Sequence, residues 1–427
     1  MMGGTGGNER KSEGVSISNN LTSGCMPNVY YGTAHARTLD MADIRRHKSF
    51  FGLPLPESVF VEGKSSYRYV REEDDLWNRL HKGTLTTSLL NSVLGFYEPS
   101  AAKVLGIGKG WVSHGRVMSA YNHLCEQPYV PEHLACIDEA KALTHNRKVH
   151  EAFYASEHNL KSDSSRIHRE QENVVDYEDM KLKKSRQLKG MDIHGVRCAW
   201  GKAQEPATLA DLCDAFPESA VLEIGLVALE ETYLEERWGF QPGSLPPLAS
   251  TPDGILLKEG NVEQIGAISE LFQNLNGGCE VIEIKNTCPF VSSTNRRKAK
   301  YAFMDSGPRD QCHGQFVPQL QFHMLCTGLS SALLVSRSAS KGMRVFRMQK
   351  DEEYIKMMLQ IISIFWKEMV IPRILPSKNV FRNLRIHQQL LLRTRELTRL
   401  TEMIYDDSHS KSLLKCPIDA DCRAFLD

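Results

Sequence analysis

The stretch "CEVIEIKNTCPF", residues 279–290, places one acid and one lysine two residues apart in an otherwise apolar run. Its apolar and β-branched residues are typical of a buried strand. Because burial of a lone charged group is costly, Glu283 and Lys285 need a specific reason to be there. Side chains along a strand alternate between its faces, so these two charges point to one side while Ile282 and Ile284 point to the other. The pattern predicts one site that holds both charges.

A second acid lies upstream, in the segment "LASTPDGILL", residues 248–257. Asp253 follows Pro252 at the predicted turn into an apolar run, and a hairpin with the 279–286 strand would bring its carboxylate beside Glu283. Carboxylate oxygens are the ligands that Mg²⁺ and Mn²⁺ prefer, and these ions also bind phosphate oxygens. With Lys285 beside a metal-bound water, the set predicts a metal-dependent nuclease centre.

An alternative interpretation needs no chemistry. Glu283 and Lys285 alone also fit a strand with one solvated face that carries an ordinary ion pair. Further polar segments along the chain, at 200–209 and 318–328, favour the nuclease interpretation.

The composition of the 427 residues describes an ordinary globular protein, with 41% hydrophobic and 24% charged residues. These values exclude a mainly disordered, collagenous or disulfide-scaffold chain. Lysine plus arginine equals aspartate plus glutamate at 52 each, so any DNA contact must come from a local patch rather than a global positive charge. The eleven cysteines lack Cys-x-x-Cys spacing and the fifteen histidines lack His-Glu-x-x-His spacing, which argues against zinc.

The amino-terminal residues "MMGGTGGNERKSEGVSISNN" lack the apolar core of a secretory signal. The longest apolar stretches, such as residues 358–366, are too short to cross a bilayer. We expect an intracellular, soluble protein with no membrane partner, and the sequence leaves open whether it resides in the nucleus or an organelle.

The pattern along the chain predicts an α/β (α+β) fold, with a central mixed β-sheet flanked by helices and helical additions at both ends. Within it we predict a strand over 220–229, a helix that begins near Pro318 and ends at Gly328, and a helix near 378–404. It divides the chain into five regions that differ in composition and periodicity. They are a disordered tail (1–27), an amino-terminal helical part (28–137), a charged insertion (138–190), the core (191–350), and carboxyl-terminal helices with a tail (351–427).

The core segments resemble the PD-(D/E)-x-K nucleases and, within them, the YqaJ-like viral recombinase group that includes phage lambda exonuclease. "STPDG" (250–254) and "EVIEIKNTCPF" (280–290) resemble the split core motif of that family. The resemblance implies a restriction-endonuclease-like core. It also implies Asp253 and Glu283 as metal ligands, the Ile284 carbonyl as a further ligand, and Lys285 as the catalytic lysine.

The segment "WGKAQEPATL" (200–209) resembles the family's tryptophan-glycine-lysine segment, which opens the helix whose glutamate completes the metal site. The resemblance implies Glu205 as that catalytic ligand and Lys202 as a substrate contact. Pro206 directly follows Glu205, where the family helix normally continues. Glu223 is a rival for the same role, because "VLEIG" also places an acid on a predicted strand.

The segment "PQLQFHMLCTG" (318–328) resembles the family helix with paired glutamines. The resemblance implies that Gln319 and Gln321 lie near the metal or phosphate. Residues two apart on a helix do not share a face, so we expect at most one of them at the metal.

The segment "LWNRLHKGTLTTS" (76–88) resembles the family's substrate-contacting amino-terminal segment. Thr86 and Ser88 occupy matching places. His81 stands where an arginine for a terminal phosphate is expected, and this departure weakens the expectation of 5′-phosphate selectivity.

The resemblance extends over residues 75–350 and implies a Mg²⁺- or Mn²⁺-dependent DNA nuclease. It favours an exonuclease that acts on double-stranded ends in recombination or repair. Free-standing relatives often assemble as rings around the duplex, so DNA and a homo-oligomer, a ring trimer in relatives, are the expected partners. The alternatives are a catalytically silent nucleic-acid-binding or recombination scaffold of the same fold and a structure-specific endonuclease.

Overall fold

The structure is a computed structural model, and it describes residues 39, 41–53, 69–72, 74–129, 193–258, 278–292 and 301–409. The predicted tail (1–27) and charged insertion (138–190) lie outside these residues. Both helices and strands occur along the described chain, as the pattern of the sequence predicts.

Strands from four parts of the chain build the sheets. In chain order they are β1 (Phe50–Phe51), β2 (Ala220–Leu222), β3 (Val227–Ala228), β4 (Ala249–Ser250), β5 (Gly254–Leu257), β6 (Cys279–Ile284), β7 (Phe290–Ser292), β8 (Tyr301–Phe303), β9 (Ser331–Arg337), β10 (Met343–Gln349) and β11 (Glu402–Asp406).

Seven of these strands form a central mixed sheet in the order β1-β2-β5-β6-β9-β10-β11. β1 runs parallel to β2 and β6 runs parallel to β9, whereas the other neighbours are antiparallel. Two small two-stranded sheets pair β3 with β4 and β7 with β8. Because β6 lies between β5 and β9, neighbouring strands cover both its edges, and all six of its residues are buried.

Helices flank the sheet, which confirms the predicted mixed α/β architecture. In chain order they are α1 (Met41–Ile44), α2 (Asp75–His81), α3 (Thr87–Val93), α4 (Pro99–Leu105), α5 (His114–Leu124), α6 (Ile193–Ala215), α7 (Glu231–Trp238), α8 (Val317–Thr327), α9 (Glu352–Phe365) and α10 (Arg385–Leu400). A short 3₁₀ turn (Lys109–Trp111) precedes α5, and a π turn (Trp366–Val370) extends α9. None of the helices in the described ranges has the length and apolar character needed to span a bilayer.

The two faces of the sheet pack against different helices. Val281 of β6 belongs to the larger apolar cluster, which includes Leu320 of α8 and residues of α3, α5, α9 and α10. Ile282 and Ile284 belong to a second cluster with Leu209 of α6. This separation follows from the alternation of strand side chains and places β6 between helical layers.

The sequence signals for α8 agree with the structure. Pro318 lies in the first turn, where a missing backbone N–H costs no intrahelical hydrogen bond. Gly328 ends the helix with a φ of 79°, a left-handed conformation that glycine adopts without steric cost. The helix therefore begins and ends where the sequence predicts.

Two strand and helix predictions were wrong in extent. The run 220–229 is two strands in different sheets: β2 ends at Leu222, β3 begins at Val227, and Leu226 between them donates its backbone N–H to Val70. The helix predicted near 378–404 spans only Arg385–Leu400. Residues Glu402–Asp406 form β11, whose backbone groups pair with those of β10.

Candidate active site

The predicted hairpin between β5 and β6 is present and places Asp253 beside the carboxyl end of β6. Gly254 pairs with Ile282, and the backbone N–H of Asp253 donates to the Ile282 carbonyl at 3.1 Å. The Asp253 carboxylate accepts a hydrogen bond from the backbone N–H of Ile284 at 2.5 Å between N and Oδ2. The turn therefore fixes one acid next to the strand that carries Glu283 and Lys285.

Glu283 is held by three side chains. The Lys285 ammonium forms an ion pair with its Oε1. Gln319 donates to the same oxygen at 2.6 Å, and His323 Nε2 lies 2.8 Å from Oε2. The Glu283 side chain is 2% exposed, whereas the Lys285 side chain is 27% exposed and reaches toward solvent. The carboxylate is thus fixed in position, and the lysine side chain is only partly covered.

Glu205 lies on α6, which continues through Pro206 instead of ending there. Proline cannot donate the helical hydrogen bond at its position. Asn286, directly after Lys285, reinforces this part of the helix: its Nδ2 donates to the Gly201 carbonyl at 3.1 Å, and its Oδ1 accepts from Thr208 at 2.7 Å. The segment that carries the lysine is therefore fastened to the helix that carries Glu205.

The pKa shifts show that the four charged side chains lie close together. Burial, Glu283 and Glu205 raise the pKa of Asp253 well above its ordinary value. Burial, Glu72 and Glu283 raise the pKa of Glu205 to about 7. Burial alone would raise the pKa of Glu283, but Lys285 and His323 outweigh it and lower that pKa. Burial would lower the pKa of Lys285, but Glu283 and Asp253 raise it.

Three acids therefore share one adjacent lysine, and this excess negative charge fits a cation. Among the described residues, no three acidic, histidine or cysteine side chains form a ready-made metal-binding group. In this arrangement Glu283 is bonded to Lys285, Gln319 and His323. The donors themselves suit a hard divalent ion, because Asp253 and Glu205 are oxygen ligands whose pKa values are raised by burial and by the neighbouring acids.

The predicted substrate residues His81, Thr86, Ser88 and Lys202 line the same cleft as Asp253 and Glu205. His81 Nε2 lies 3.0 Å from Thr86 Oγ1, which lies 3.0 Å from Ser88 Oγ. Burial and the neighbouring His123 lower the pKa of His81, so its imidazole is neutral at physiological pH. This wall of the cleft offers hydroxyl and imidazole hydrogen bonds.

Lys202 extends from α6 at the edge of that cleft. Its ammonium lies 3.4 Å from a carboxylate oxygen of Glu72, and its side chain is 70% exposed. An exposed pair of this kind is weak, so the lysine is available to a charged ligand.

The structure does not bring Gln321 to the site. Its side chain is fully buried, donates to the Gln349 carbonyl at 2.8 Å and accepts from the Asp351 N–H at 2.9 Å. Gln319 faces Glu283 instead. The reason is helix geometry, since residues two apart point in different directions.

Sequence reasoning missed His323, which is fully buried and bonded to Glu283. A signal for it existed, because His323 is four residues after Gln319 and so lies on the same face of α8. Glu223, the rival of Glu205, is held by Arg45 and Arg71 and by the backbone N–H of Leu53. Its oxygens are occupied, whereas Glu205 points toward the other acids.

Comparison with known proteins adds no family or relative: no protein-family model matches the chain, and no curated protein matches it significantly. The assignment of the site therefore rests on its own geometry and charge. The resemblance to nucleases drawn from the motifs stays a prediction.

Proposed function

We propose that this protein is a Mg²⁺-dependent deoxyribonuclease with a restriction-endonuclease-like core, related to the YqaJ-like viral recombinases. The observation that carries the proposal is the meeting of Asp253, Glu283 and Glu205 around Lys285 at the carboxyl end of β6. An ordinary structural ion pair needs one acid for one lysine. Two additional acids beside a half-buried cleft are better explained by a cation and a phosphate ligand.

Asp253, Glu283, Glu205 and the Ile284 carbonyl would hold the divalent ion, Mg²⁺ or Mn²⁺. Such an ion, when bound, lowers the pKa of a water molecule and neutralises charge on the phosphate. Lys285 has a raised pKa and so remains a cation, which suits it to stabilise negative charge on the attacking oxygen or the phosphate rather than to remove a proton. Gln319 and His323 keep the Glu283 carboxylate in place.

Other residues that line the cleft offer contacts for the DNA strand. Thr86, Ser88 and His81 supply hydrogen bonds, and Lys202 supplies an exposed positive charge. Such groups typically position a strand through its phosphates and sugars without reading sequence. We favour exonuclease action on double-stranded DNA ends in recombination or repair, which the family resemblance implies.

Digestion of linear and circular plasmid DNA with Mg²⁺ tests the proposal. Loss of linear DNA alone identifies an exonuclease, and nicking of circles identifies a structure-specific or other endonuclease. Lys285→Ala should abolish cleavage while the protein stays folded. Lys258→Ala is the matched control, because Lys258 pairs with Glu280 at the far end of β6 and should leave cleavage unchanged. Cleavage by Lys285→Ala at the wild-type rate would refute the assigned role.

A catalytically silent nucleic-acid-binding or recombination scaffold is the second candidate. It is favoured by the side-chain bonds that already occupy both oxygens of Glu283. Isothermal titration with Mn²⁺ separates the two, since a nuclease should bind the ion and lose that binding in Asp253→Asn. DNA binding without cleavage or Mn²⁺ binding would identify the scaffold.

The resemblance also leads us to propose a homo-oligomer, with the ring trimer of relatives as the expected form. Sedimentation equilibrium of the full chain gives its mass directly. A monomer at all concentrations would exclude the ring and leave the nuclease proposal intact.

A further inference from the structure

Two arginines and one glutamate form a compact charged group in the cleft, here called the arginine cluster (Arg45, Arg71 and Glu223). Arg45 Nη2 lies 2.5 Å from Glu223 Oε1, and Arg71 Nε lies 2.9 Å from the same oxygen. Arg71 Nη2 also donates to Oε2 at 3.0 Å. The three residues come from separate parts of the chain and line the cleft that contains Asp253 and Glu205.

The arginine cluster carries a net positive charge. Burial alone would raise the pKa of Glu223, but Arg71 and Arg45 lower it, so the glutamate is ionised. Two guanidinium groups and one carboxylate then sum to one positive charge. Glu223 is thus a buried carboxylate that contacts two guanidinium groups, where one cation suffices for compensation.

The arginine cluster lies beside the acids Asp253 and Glu205. Glu223 directly follows Leu222, which pairs with Ile255 of β5, and this register puts Glu223 next to the Asp253 turn. Arg71 directly precedes Glu72, whose carboxylate lies close enough to Glu205 to raise its pKa. The positive charge therefore lies beside the acids and not at a distant surface.

The geometry of Arg71 leaves part of its guanidinium for a ligand. Its side chain is only 12% exposed, and two of its nitrogens contact Glu223. No acceptor within the described ranges is bonded to the remaining nitrogen, Nη1. Glu223 thus fixes the plane of the guanidinium, and a fixed guanidinium is well suited to bind a phosphate oxygen.

We propose that the arginine cluster binds a backbone phosphodiester of the DNA strand next to the scissile phosphate, with Arg71 as the main donor. This inference rests on the proposed nuclease function. A phosphodiester carries one negative charge and so matches the single positive charge of the arginine cluster. A terminal phosphate monoester carries between one and two negative charges at neutral pH, so it matches less well.

The salt dependence of DNA binding tests the role of Arg71. Binding of a 5′-hydroxyl duplex is measured by fluorescence anisotropy in EDTA, which prevents cleavage, over a range of salt concentrations. Each phosphate contact contributes about 0.9 to the slope of log K against log salt. Arg71→Gln should weaken binding about 10-fold and reduce that slope by about 1, whereas Arg71→Lys should keep the slope.

Arg237→Gln is the matched control, because Arg237 is an exposed arginine that pairs with Glu352 on another part of the molecule. It should leave both affinity and slope unchanged. Thermal melting of each variant verifies that it is folded, and Arg71→Lys keeps the test valid if Arg71→Gln does not fold. In cleavage assays, Arg71→Gln should raise KM with kcat nearly unchanged.

The outcomes distinguish this inference from the proposed function. If the wild-type protein binds and cleaves DNA but folded Arg71→Gln keeps the wild-type slope, the phosphate site is refuted and the nuclease stands. If the effect of Arg71→Gln appears only with a 5′-phosphorylated duplex, the ligand is a terminal phosphate and the phosphodiester assignment is refuted. A wild-type protein that neither binds nor cleaves DNA refutes both.

Discussion

Glu280 and Glu283 lie three residues apart on β6, both almost completely buried, but their surroundings differ. Glu280 accepts hydrogen bonds from Arg347 at 2.7 and 3.0 Å and from Ser331 at 2.5 Å. Lys258 lies 3.3 Å away. Glu283 has a single lysine, and it shares that lysine with two other acids. One glutamate is fully compensated, and the other belongs to an excess of negative charge.

This comparison teaches where to look for a site. Both glutamates have a lowered pKa, because burial, which would raise it, is outweighed by cations and hydrogen bonds. Their own pKa values therefore do not separate them. The pKa values of their neighbours distinguish the two glutamates, since Asp253 and Glu205, which lie beside Glu283, have raised pKa values. Glu280 strengthens the sheet, whereas Glu283 belongs to a group that favours a bound cation.

The largest expected effect is on catalysis by Glu283→Gln. This change keeps the shape of the side chain but removes the charge that would hold the metal ion. We expect kcat on linear duplex DNA to fall by at least about 10²–10³-fold, the usual loss when a key electrostatic group is removed. Circular dichroism verifies the fold. Activity within a few-fold of wild type would exclude Glu283 from the metal site.

Glu280→Gln should lower stability and leave catalysis unchanged, in contrast to Glu283→Gln. It removes the charge that accepts hydrogen bonds from Arg347 and Ser331, and loss of hydrogen bonding to a charged group typically costs about 1.5–3 kcal/mol of stability. Urea unfolding should show this loss, while the cleavage rate per folded molecule stays at the wild-type value. A selective loss of cleavage with unchanged stability would contradict the structural role of Glu280.

A smaller effect is expected from His323→Ala. Removing a side chain that holds a metal-binding carboxylate typically lowers activity or metal affinity by about 10–100-fold. The Mg²⁺ concentration for half-maximal cleavage should rise. In His323→Gln it should rise less, because an amide N–H can replace the imidazole N–H. Gln321→Ala is the control: it loses two buried hydrogen bonds and so should lower stability, not Mg²⁺ dependence.

Local patterns predicted the parts of the fold that depend on neighbouring residues. The alternation in residues 279–285 predicted that Glu283 and Lys285 share a face, and the turn at Pro252 predicted the hairpin with β5. Proline and glycine marked the two ends of α8. These features follow from strand and helix periodicity, which a single sequence displays directly.

Contacts between distant segments could not be predicted in the same way. Glu223 meets Arg71 from 152 residues away and Arg45 from 178 residues away, and no periodicity links such positions. The first residues of β11 were assigned to a predicted helix, because the pairing of β11 with β10 is also a long-range contact. Local propensity favours a break of α6 at Pro206, and the bonds that Asn286 makes to α6 come from a residue about 80 positions later.

A third buried glutamate, Glu98, extends the comparison, and its substitution has the smallest expected effect. Glu98, at the start of α4, is 5% exposed and forms no ion pair with any described residue. Burial raises its pKa to about 7, although backbone hydrogen bonds from Val380 and Phe381 oppose the shift. Within the described part of the chain, Glu98 has neither a paired cation, as Glu280 has, nor a cluster of acids, as Glu283 has.

The folded protein therefore keeps the Glu98 proton over a pH range in which the unfolded chain has lost it. Because the folded state binds more protons there, stability should fall as the pH rises from about 4.5 to about 7. Glu98→Gln is neutral at every pH, so it should match wild type at pH 4 and exceed it at pH 8 by on the order of 1 kcal/mol. Urea unfolding at both values measures the difference, with the exposed Glu236→Gln as control. Equal differences at both pH values would mean that Glu98 is ionised in the folded state, and burial without a cation would then not be enough to keep a glutamate neutral in this protein.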